Sequence, residues 1–112
     1  MTVYVDDMYL TPMGRYRRMK MSHMIADTET ELHVMAAMIG IARKWYQGDH
    51  YDVAMSSRAK AVAAGAVEIS MRQLAAMAFL KRQGLPIGDP DGAVERMLAH
   101  VKPASLSTGQ TP

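Results

Sequence analysis

Two apolar runs near the start of the chain lack the spacing of a helix. Thr2 to Val5 and Met19 to Ala26 are rich in residues that favour strands. The polar pair Asp6-Asp7 ends the first run, and turn residues from Thr11 to Gly14 separate it from the second. The pattern predicts one strand in each run, and the two strands can pair with each other.

Helical periodicity begins after the second of these runs. Thr28 and Glu31 have the spacing of a capping box, in which the two side chains accept hydrogen bonds from free backbone N–H groups of the first turn. Gly40 can take the left-handed conformation that commonly ends a helix. A helix is therefore predicted from Thr28 to about Ile39, with an inward stripe formed by Leu32, Met35, Ala36 and Ile39.

The rest of the chain continues to alternate. Two more strands are predicted, a weak one over 43–47 and another over 66–70, with a polar loop over 48–52. Three further helices are predicted: Ser57 to Ala64 capped by Ser56, one that Ser70 and Gln73 cap and that reaches Gln83, and one that begins at Asp89-Pro90 and ends before Pro103.

This order of elements predicts an α/β fold, with a small mixed or parallel sheet of about four strands and three to four helices. The 112 residues fit one domain, which we place at residues 1–103. Residues 104–112 are uncharged and rich in Ser and Thr, which predicts a disordered tail. A domain of this size buries only about two-thirds of its unfolded surface, so a homo-oligomer stays open.

Composition narrows the classes of function. The chain has no cysteine, which excludes disulfides and cysteine-based zinc sites and favours a reducing cytoplasm. No apolar stretch approaches the roughly 20 residues that span a bilayer, and the acidic N-terminal segment is unlike a signal peptide. The net charge of +2 implies no general affinity for nucleic acid. A nucleic-acid partner is supported only by one local basic cluster: Arg15, Arg17, Arg18 and Lys20.

Polar residues gather at the ends of the apolar runs, where α/β folds place their ligand sites. The predicted helix start at Ser56 offers N–H groups to a phosphate, and Trp45 can stack on a ring. Serine is also a common helix cap, and basic runs are commonly solvated surface. We expect binding of a phosphorylated small molecule, above all a nucleotide, by His23, Lys44, Trp45, Gln47, Tyr51, Ser56, Ser57 and Arg58.

A metal-dependent phosphoesterase or nuclease is the alternative hypothesis. Asp6, Asp27 and Asp52 could hold Mg²⁺ or Mn²⁺, because carboxylate oxygens are ligands that these ions prefer. His50 lies two residues from Asp52, and a neighbouring carboxylate can fix the tautomer of an imidazole that moves a proton. The catalytic set would then be Asp6, His50 and Asp52. Zinc is disfavoured, since no two histidines have the i, i+4 spacing of a helical zinc motif.

A protein-interaction domain, using the Met-rich surface or the final helix, is the third hypothesis. Six motifs also occur in one order: VYVDD at 3–7, SHMIAD at 22–27, ELH at 31–33, RKWYQ at 43–47, HYD at 50–52 and GAVEI at 65–69. With these motifs the chain resembles, over Thr2 to Ala75, the bacterial and phage family catalogued as domain of unknown function four thousand and thirty-one. The resemblance implies a bacterial or phage source, in which a phage protein could sequester a host nucleotide. It carries no catalytic role, and it makes the motif residues the ones to test.

Overall fold

A mixed sheet of five strands forms the centre of the computed structural model, which describes the backbone of residues 2–109 and the side chains of residues 2–101. The strands are β1 (Val3–Val5), β2 (Arg15–Tyr16), β3 (Met19–Ala26), β4 (Tyr51–Ala54) and β5 (Val67–Glu68). The longest strand, β3, pairs antiparallel with β1, β2 and β4, while β1 pairs parallel with β5. The predicted α/β class and mixed sheet are confirmed.

Four α-helices accompany the sheet over the described residues: α1 (Glu29–Met38), α2 (Met55–Ala63), α3 (Met71–Arg82) and α4 (Ala93–Gly109). Thr28 caps α1, because its hydroxyl accepts the N–H of Glu31 at 3.2 Å. Ser70 and Gln73 form the complete predicted capping box at the start of α3. None of the helices within residues 2–109 has the length and hydropathy needed to cross a bilayer.

The two faces of the sheet carry separate apolar cores, since successive strand residues point to opposite faces. On one face Val5 and Met24 pack with Leu32 of α1 and other residues of α1 and α2. On the other, Tyr4 and Ile25 pack with α3 and α4 through residues such as Met77. The first half of β3 extends beyond this second core, and it carries His23 on the α3 side.

The third predicted strand is wrong. Residues Arg43–Trp45 form a 3-10 turn, and the strand that pairs with β3 comes later, at Tyr51–Ala54. Aromatic residues at positions 45 and 46 favoured a strand locally. The register decides instead, because β4 places Tyr51 and Val53 in the core and Asp52 opposite His23. The last two residues of the predicted loop, Tyr51 and Asp52, are therefore strand.

Two helix starts also differ from the prediction. The second helix begins at Met55, and Ala54 precedes it without a side-chain cap, so Ser56 lies inside the first turn. The last helix begins at Ala93, and Asp89 instead accepts the N–H of Asp91 at 3.1 Å in the preceding turn. Both predictions relied on local capping residues, whereas the observed α2 packs against β3 and β4 and the observed α4 packs against α3.

The end of the last helix was predicted before Pro103, but the helical backbone continues to Gly109. Proline removes one backbone hydrogen bond from a helix without always ending it. The prediction of a disordered tail falls on residues whose side chains are not described (104–109) or that lie outside the described residues (110–112), and it stays a prediction.

Candidate metal centre

Two imidazoles and one carboxylate converge at the open end of the β3–β4 pair. His23 on β3 and Asp52 on β4 are direct partners in the antiparallel register, and His50 precedes β4 by one residue. Asp52 Oδ1 lies 3.4 Å from His50 Nε2 and 4.0 Å from His23 Nε2. The two rings meet edge to face with centroids 5.1 Å apart. Among the described residues, these three offer ligand atoms that all lie within 4.8 Å of one another.

A carboxylate holds the remote nitrogen of His23. Asp6 Oδ2 lies 2.7 Å from His23 Nδ1, and Asp6 Oδ1 accepts the backbone N–H groups of His23 (2.8 Å) and Met8 (3.2 Å). Because an ionised carboxylate only accepts hydrogen bonds, Nδ1 carries the proton and Nε2 presents its lone pair to the centre. Asp6 is fully buried, and these contacts satisfy its two oxygens.

His50 is held in the same way by a different residue. Asp49 Oδ1 lies 2.6 Å from His50 Nδ1, and the other oxygen of Asp49 accepts a hydrogen bond from Arg82 Nη1 at 2.7 Å. Arg82 belongs to the last turn of α3, so this helix anchors the loop that carries His50. Both histidines therefore direct Nε2 towards Asp52, in the carboxylate–histidine–metal arrangement typical of protein metal sites.

The two oxygens of Asp52 have different surroundings. Gln47 Nε2 donates to Asp52 Oδ2 at 2.8 Å. Asp52 Oδ1 is buried and makes no well-formed hydrogen bond to the residues that the structure describes; His50 Nε2 lies 3.4 Å away, close enough for an ion pair when His50 is protonated, and His23 Nε2 lies 4.0 Å away. Burial of a carboxylate oxygen without a short hydrogen bond is costly. A bound cation would remove that cost.

The charges of the cluster are mutually dependent. The adjacent Asp52 carboxylate, assisted by Asp49, raises the pKa of His50 above its ordinary 6.5 against the opposing effect of burial. His50 in turn lowers the pKa of Asp52, and burial opposes this shift. Burial alone would raise the pKa of Asp49, but hydrogen bonds from His50 and Arg82 outweigh it and hold that pKa below 3.8.

The spacing of the three ligand atoms suits a small divalent ion. Ligands at about 2.1 Å from a tetrahedral ion lie about 3.4 Å from one another. The 3.4 Å between His50 Nε2 and Asp52 Oδ1 matches this value. The 4.0 Å from His23 Nε2 to Asp52 Oδ1, and separations within the cluster of up to 4.8 Å, require the His23 ring to move towards the ion. Three protein ligands leave positions for water and substrate, as in catalytic zinc sites.

A groove opens beside the centre, and we call it the Trp45 groove. Its volume is about 520 Å³, and it is lined by Tyr16, Met19, Met21, Trp45, Gln47 and Asp52, with residues 40–42, Ala54 and Ser57. Met19, Met21 and His23 alternate along β3 and share one face of the sheet. Gln47 and Asp52 belong to both the groove and the metal centre, so a ligand in the groove would touch the centre.

Five of the residues that the sequence singled out meet at this place: Asp6, His23, Gln47, His50 and Asp52. Asp6 supports His23 rather than facing the centre itself. Trp45 and Ser57 lie in the adjoining groove, and Lys44 Nζ lies 5.3 Å from the centroid of the Trp45 ring.

Four other predicted site residues lie elsewhere. Asp27, at the far end of β3, accepts the backbone N–H of Thr2 at 2.8 Å. Tyr51 is fully buried on the opposite face, where it contacts His33 Nδ1 at 2.7 Å. Arg58 is buried against the carbonyl of Asp6, the carboxylate of Glu68 and the ring of Tyr9. Ser56 is exposed in the first turn of α2 without making its cap.

Sequence reasoning left two important residues out of the predicted site. Asp49 adjoins His50 in the sequence, and this adjacency is the pattern that could have suggested its role. Arg82 lies 33 residues beyond Asp49, in a helix whose pattern indicated only a C-terminus. Nothing local predicts that contact, because it depends on how α3 crosses the sheet.

Comparison with known proteins gives one match. The family model described as "Protein of unknown function (DUF4031)" matches residues 3–82, a range that contains every residue of the metal centre and its supports. No curated protein and no solved structure matches the chain. The resemblance drawn from the six sequence motifs is confirmed.

Proposed function

Since the chain belongs to the family described as a protein of unknown function (DUF4031), we propose a function from the site itself: hydrolysis of a phosphate ester at one divalent metal ion held by His23, His50 and Asp52. One observation carries the proposal. Two Nε2 atoms and one carboxylate oxygen converge within 4.8 Å, while the remaining polar atoms of the same three side chains are already engaged by Asp6, Asp49 and Gln47.

The donor set favours zinc, manganese or iron(II) over magnesium. Imidazole suits the transition metals, whereas magnesium prefers oxygen ligands and retains its water. The magnesium site considered from the sequence used Asp6, Asp27 and Asp52, but the first two of these carboxylates are engaged away from the centre. The proposed ligands keep only Asp52 from that set.

The chemistry proposed for this ion is activation of water. A bound divalent ion lowers the pKa of water to near neutrality and stabilises charge on a phosphoryl oxygen. At such an ion the water oxygen would form a bond to phosphorus, the bond from phosphorus to the leaving oxygen would break, and the proton given up by the water would pass to that leaving oxygen. Asp6 and Asp49 keep both imidazoles oriented, so the site needs little rearrangement. The absence of cysteine is consistent with action in a cytoplasm.

Binding of a nucleotide without turnover is the second proposal, and the Trp45 groove favours it. An exposed tryptophan with a lysine over its ring can hold a nucleobase and a phosphate. The Ser56 helix start and Arg58 contribute less to this proposal than the sequence suggested, because Arg58 is buried in protein contacts. Turnover in the presence of metal distinguishes the two proposals.

The experiment begins with metal binding by EDTA-treated protein. Calorimetric titration with Zn²⁺ and with Mn²⁺ should give one site per chain. His23→Ala, His50→Ala and Asp52→Asn should each abolish it, whereas His100→Ala, which changes a histidine on α4 outside the cluster, should leave it intact. The protein loaded with the better-bound metal is then assayed with bis(p-nitrophenyl) phosphate.

Two results would contradict the proposal. The first is no stoichiometric binding of either ion. The second is binding or hydrolysis that is as sensitive to His100→Ala as to His50→Ala. If metal binds but no phosphate ester is cleaved while nucleotides still bind, the second proposal replaces the first.

A further inference from the structure

The Trp45 groove is walled by two exposed aromatic rings from separate segments. Tyr16 comes from the β2–β3 hairpin and Trp45 from the 3-10 turn after α1, and both line the groove. Tyr16 is 55% and Trp45 61% exposed, so part of each ring is accessible to solvent. Met19 and Met21 of β3 lie among the lining residues and provide an apolar surface. Flat, apolar surfaces of this kind stack on bases.

A cation accompanies each of the two rings. Arg17 Cζ lies 5.5 Å from the centroid of the Tyr16 ring, and Lys44 Nζ lies 5.3 Å from that of Trp45. Further positive charges stand on the same two segments: Arg15, Arg18, Lys20 and Arg43. A chain of phosphates with exposed bases is the ligand that matches aromatic walls bordered by positive charge.

The backbone at Arg17 adds an independent observation. Its φ of 57° is the only positive value among the described non-glycine residues. This region favours glycine and costs other residues stability. Arg17 opens the two-residue turn between Tyr16 and Met19, and such hairpin turns require a positive φ; an arginine rather than a glycine occupies that position, with its guanidinium beside the Tyr16 ring.

We infer that the Trp45 groove binds single-stranded nucleic acid and presents its phosphodiester backbone to the metal centre. This inference rests on the proposed function and names its substrate class. Bases stack on Trp45 and Tyr16, Arg17 and Lys44 contact phosphates, and the shared residues Gln47 and Asp52 bring the strand to the ion. A duplex does not fit this mode, because its bases are stacked on one another and cannot reach the rings.

The test measures binding separately from catalysis. Trp45 is the only tryptophan in the chain, so its fluorescence reports on the groove directly. Protein in EDTA is titrated with oligo(dT) of about eight nucleotides, a length within the usual range for single-strand sites. We expect quenching of Trp45, at least tenfold weaker binding of a duplex of the same length, and at least tenfold weaker binding of thymidine monophosphate.

Variants of the groove residues test which side chains contact the oligonucleotide. Their binding is measured by the fluorescence anisotropy of labelled oligo(dT). Trp45→Ala should weaken binding about tenfold or more, and Trp45→Phe should restore most of it, because a phenyl ring still stacks. Lys44→Ala should lower the slope of log K against log salt by about 0.7, the value for one phosphate contact on a single strand. Arg72→Ala, which removes an exposed cation from α3, should change neither.

The variant Arg17→Gly distinguishes a loss of oligonucleotide binding from a loss of protein stability. Glycine relieves the left-handed backbone, so this variant should melt at a higher temperature than the parent while it binds oligo(dT) more weakly. The inference is overturned if oligo(dT) leaves Trp45 fluorescence unchanged, if Trp45→Ala binds like the parent, or if the mononucleotide or duplex binds as tightly. Because EDTA keeps the metal centre empty, these failures concern the groove, whereas absence of metal binding would refute only the proposed hydrolysis.

Discussion

The carboxylates that hold the two imidazoles differ in their surroundings. Asp6 is fully buried and also binds two backbone N–H groups, whereas Asp49 is partly exposed and shares its charge with Arg82. The first contributes to the fold as well as to the site. The second contributes mainly to the orientation of His50.

Asp49→Asn is therefore expected to separate affinity from stability. Loss of the carboxylate should weaken metal binding about 10- to 100-fold, the usual effect of removing such a support. The free energy of unfolding should fall by no more than about 1 kcal/mol, because Arg82, which forms the ion pair with Asp49, is largely exposed. Calorimetric titration and urea unfolding measure the two quantities, with the exposed Asp91→Asn as control. Equal metal affinity in both variants would contradict the role of Asp49.

The pH dependence of the metal-free protein should reveal His50. Its folded pKa is raised above 6.5 by Asp52 and Asp49, so its stabilising effect is complete below about pH 6.5 and is lost as pH rises through the higher folded value. Urea unfolding in EDTA, from about pH 5 to about pH 8, should show the parent losing its advantage over His50→Asn across this range. If the difference in free energy of unfolding between the parent and His50→Asn instead grows with pH, the pKa of His50 is not raised in the folded protein.

Among the features of the individual helices and strands, the sequence best predicted the helix starts that are marked by a capping box. Both helix starts with a Ser or Thr followed three residues later by Gln or Glu are correct. The predicted start at Ser56 had no such second residue, and α2 begins elsewhere. A capping box predicts a boundary well because both of its hydrogen bonds are local.

The helices α1 and α3 should respond differently when the Glu or Gln three positions after the capping residue is removed. The Gln73 side chain accepts the backbone N–H of Ser70 at 2.9 Å, whereas the Glu31 carboxylate accepts a hydrogen bond from the Thr28 hydroxyl at 3.0 Å. Gln73→Ala should lower the free energy of unfolding by about 1 kcal/mol, and Glu31→Ala should lower it by less. Urea denaturation of both variants measures the difference, and a larger loss for Glu31→Ala would contradict the geometry.

At the scale of the whole molecule, the sequence predicted the α/β class, a small sheet that is mixed or parallel, and the boundaries of β3; the sheet is mixed and has five strands. The prediction missed β4, because that strand is specified by pairing with β3 and by burial of Tyr51 and Val53 rather than by local propensity. It also missed the contact from Arg82 to Asp49, which depends on tertiary packing. The prediction of a shared site was more reliable for residues that are close in the sequence. It was less reliable for residues that only the fold brings together.

Metal should stabilise the whole fold, since a site assembled from β3, β4 and the loop that precedes β4 does not exist in the unfolded chain. At a free concentration 100 times the dissociation constant, the gain is about 2.7 kcal/mol. Thermal melting of EDTA-treated protein with and without Zn²⁺ measures it. His50→Ala should show no such increase in melting temperature, whereas His100→Ala should retain it. An equal increase in both variants would indicate binding elsewhere.

The position of β4 in the sheet gives the centre a further consequence. This four-residue strand pairs with β3 on one side only, and an outer strand of that length opens readily. An ion joining His23 to Asp52 would pin that strand to its neighbour. We expect amide hydrogen exchange in β4 to slow when the ion binds, while exchange at the β1–β5 side changes little. The exchange rate of this one strand would then report whether the protein holds its ion.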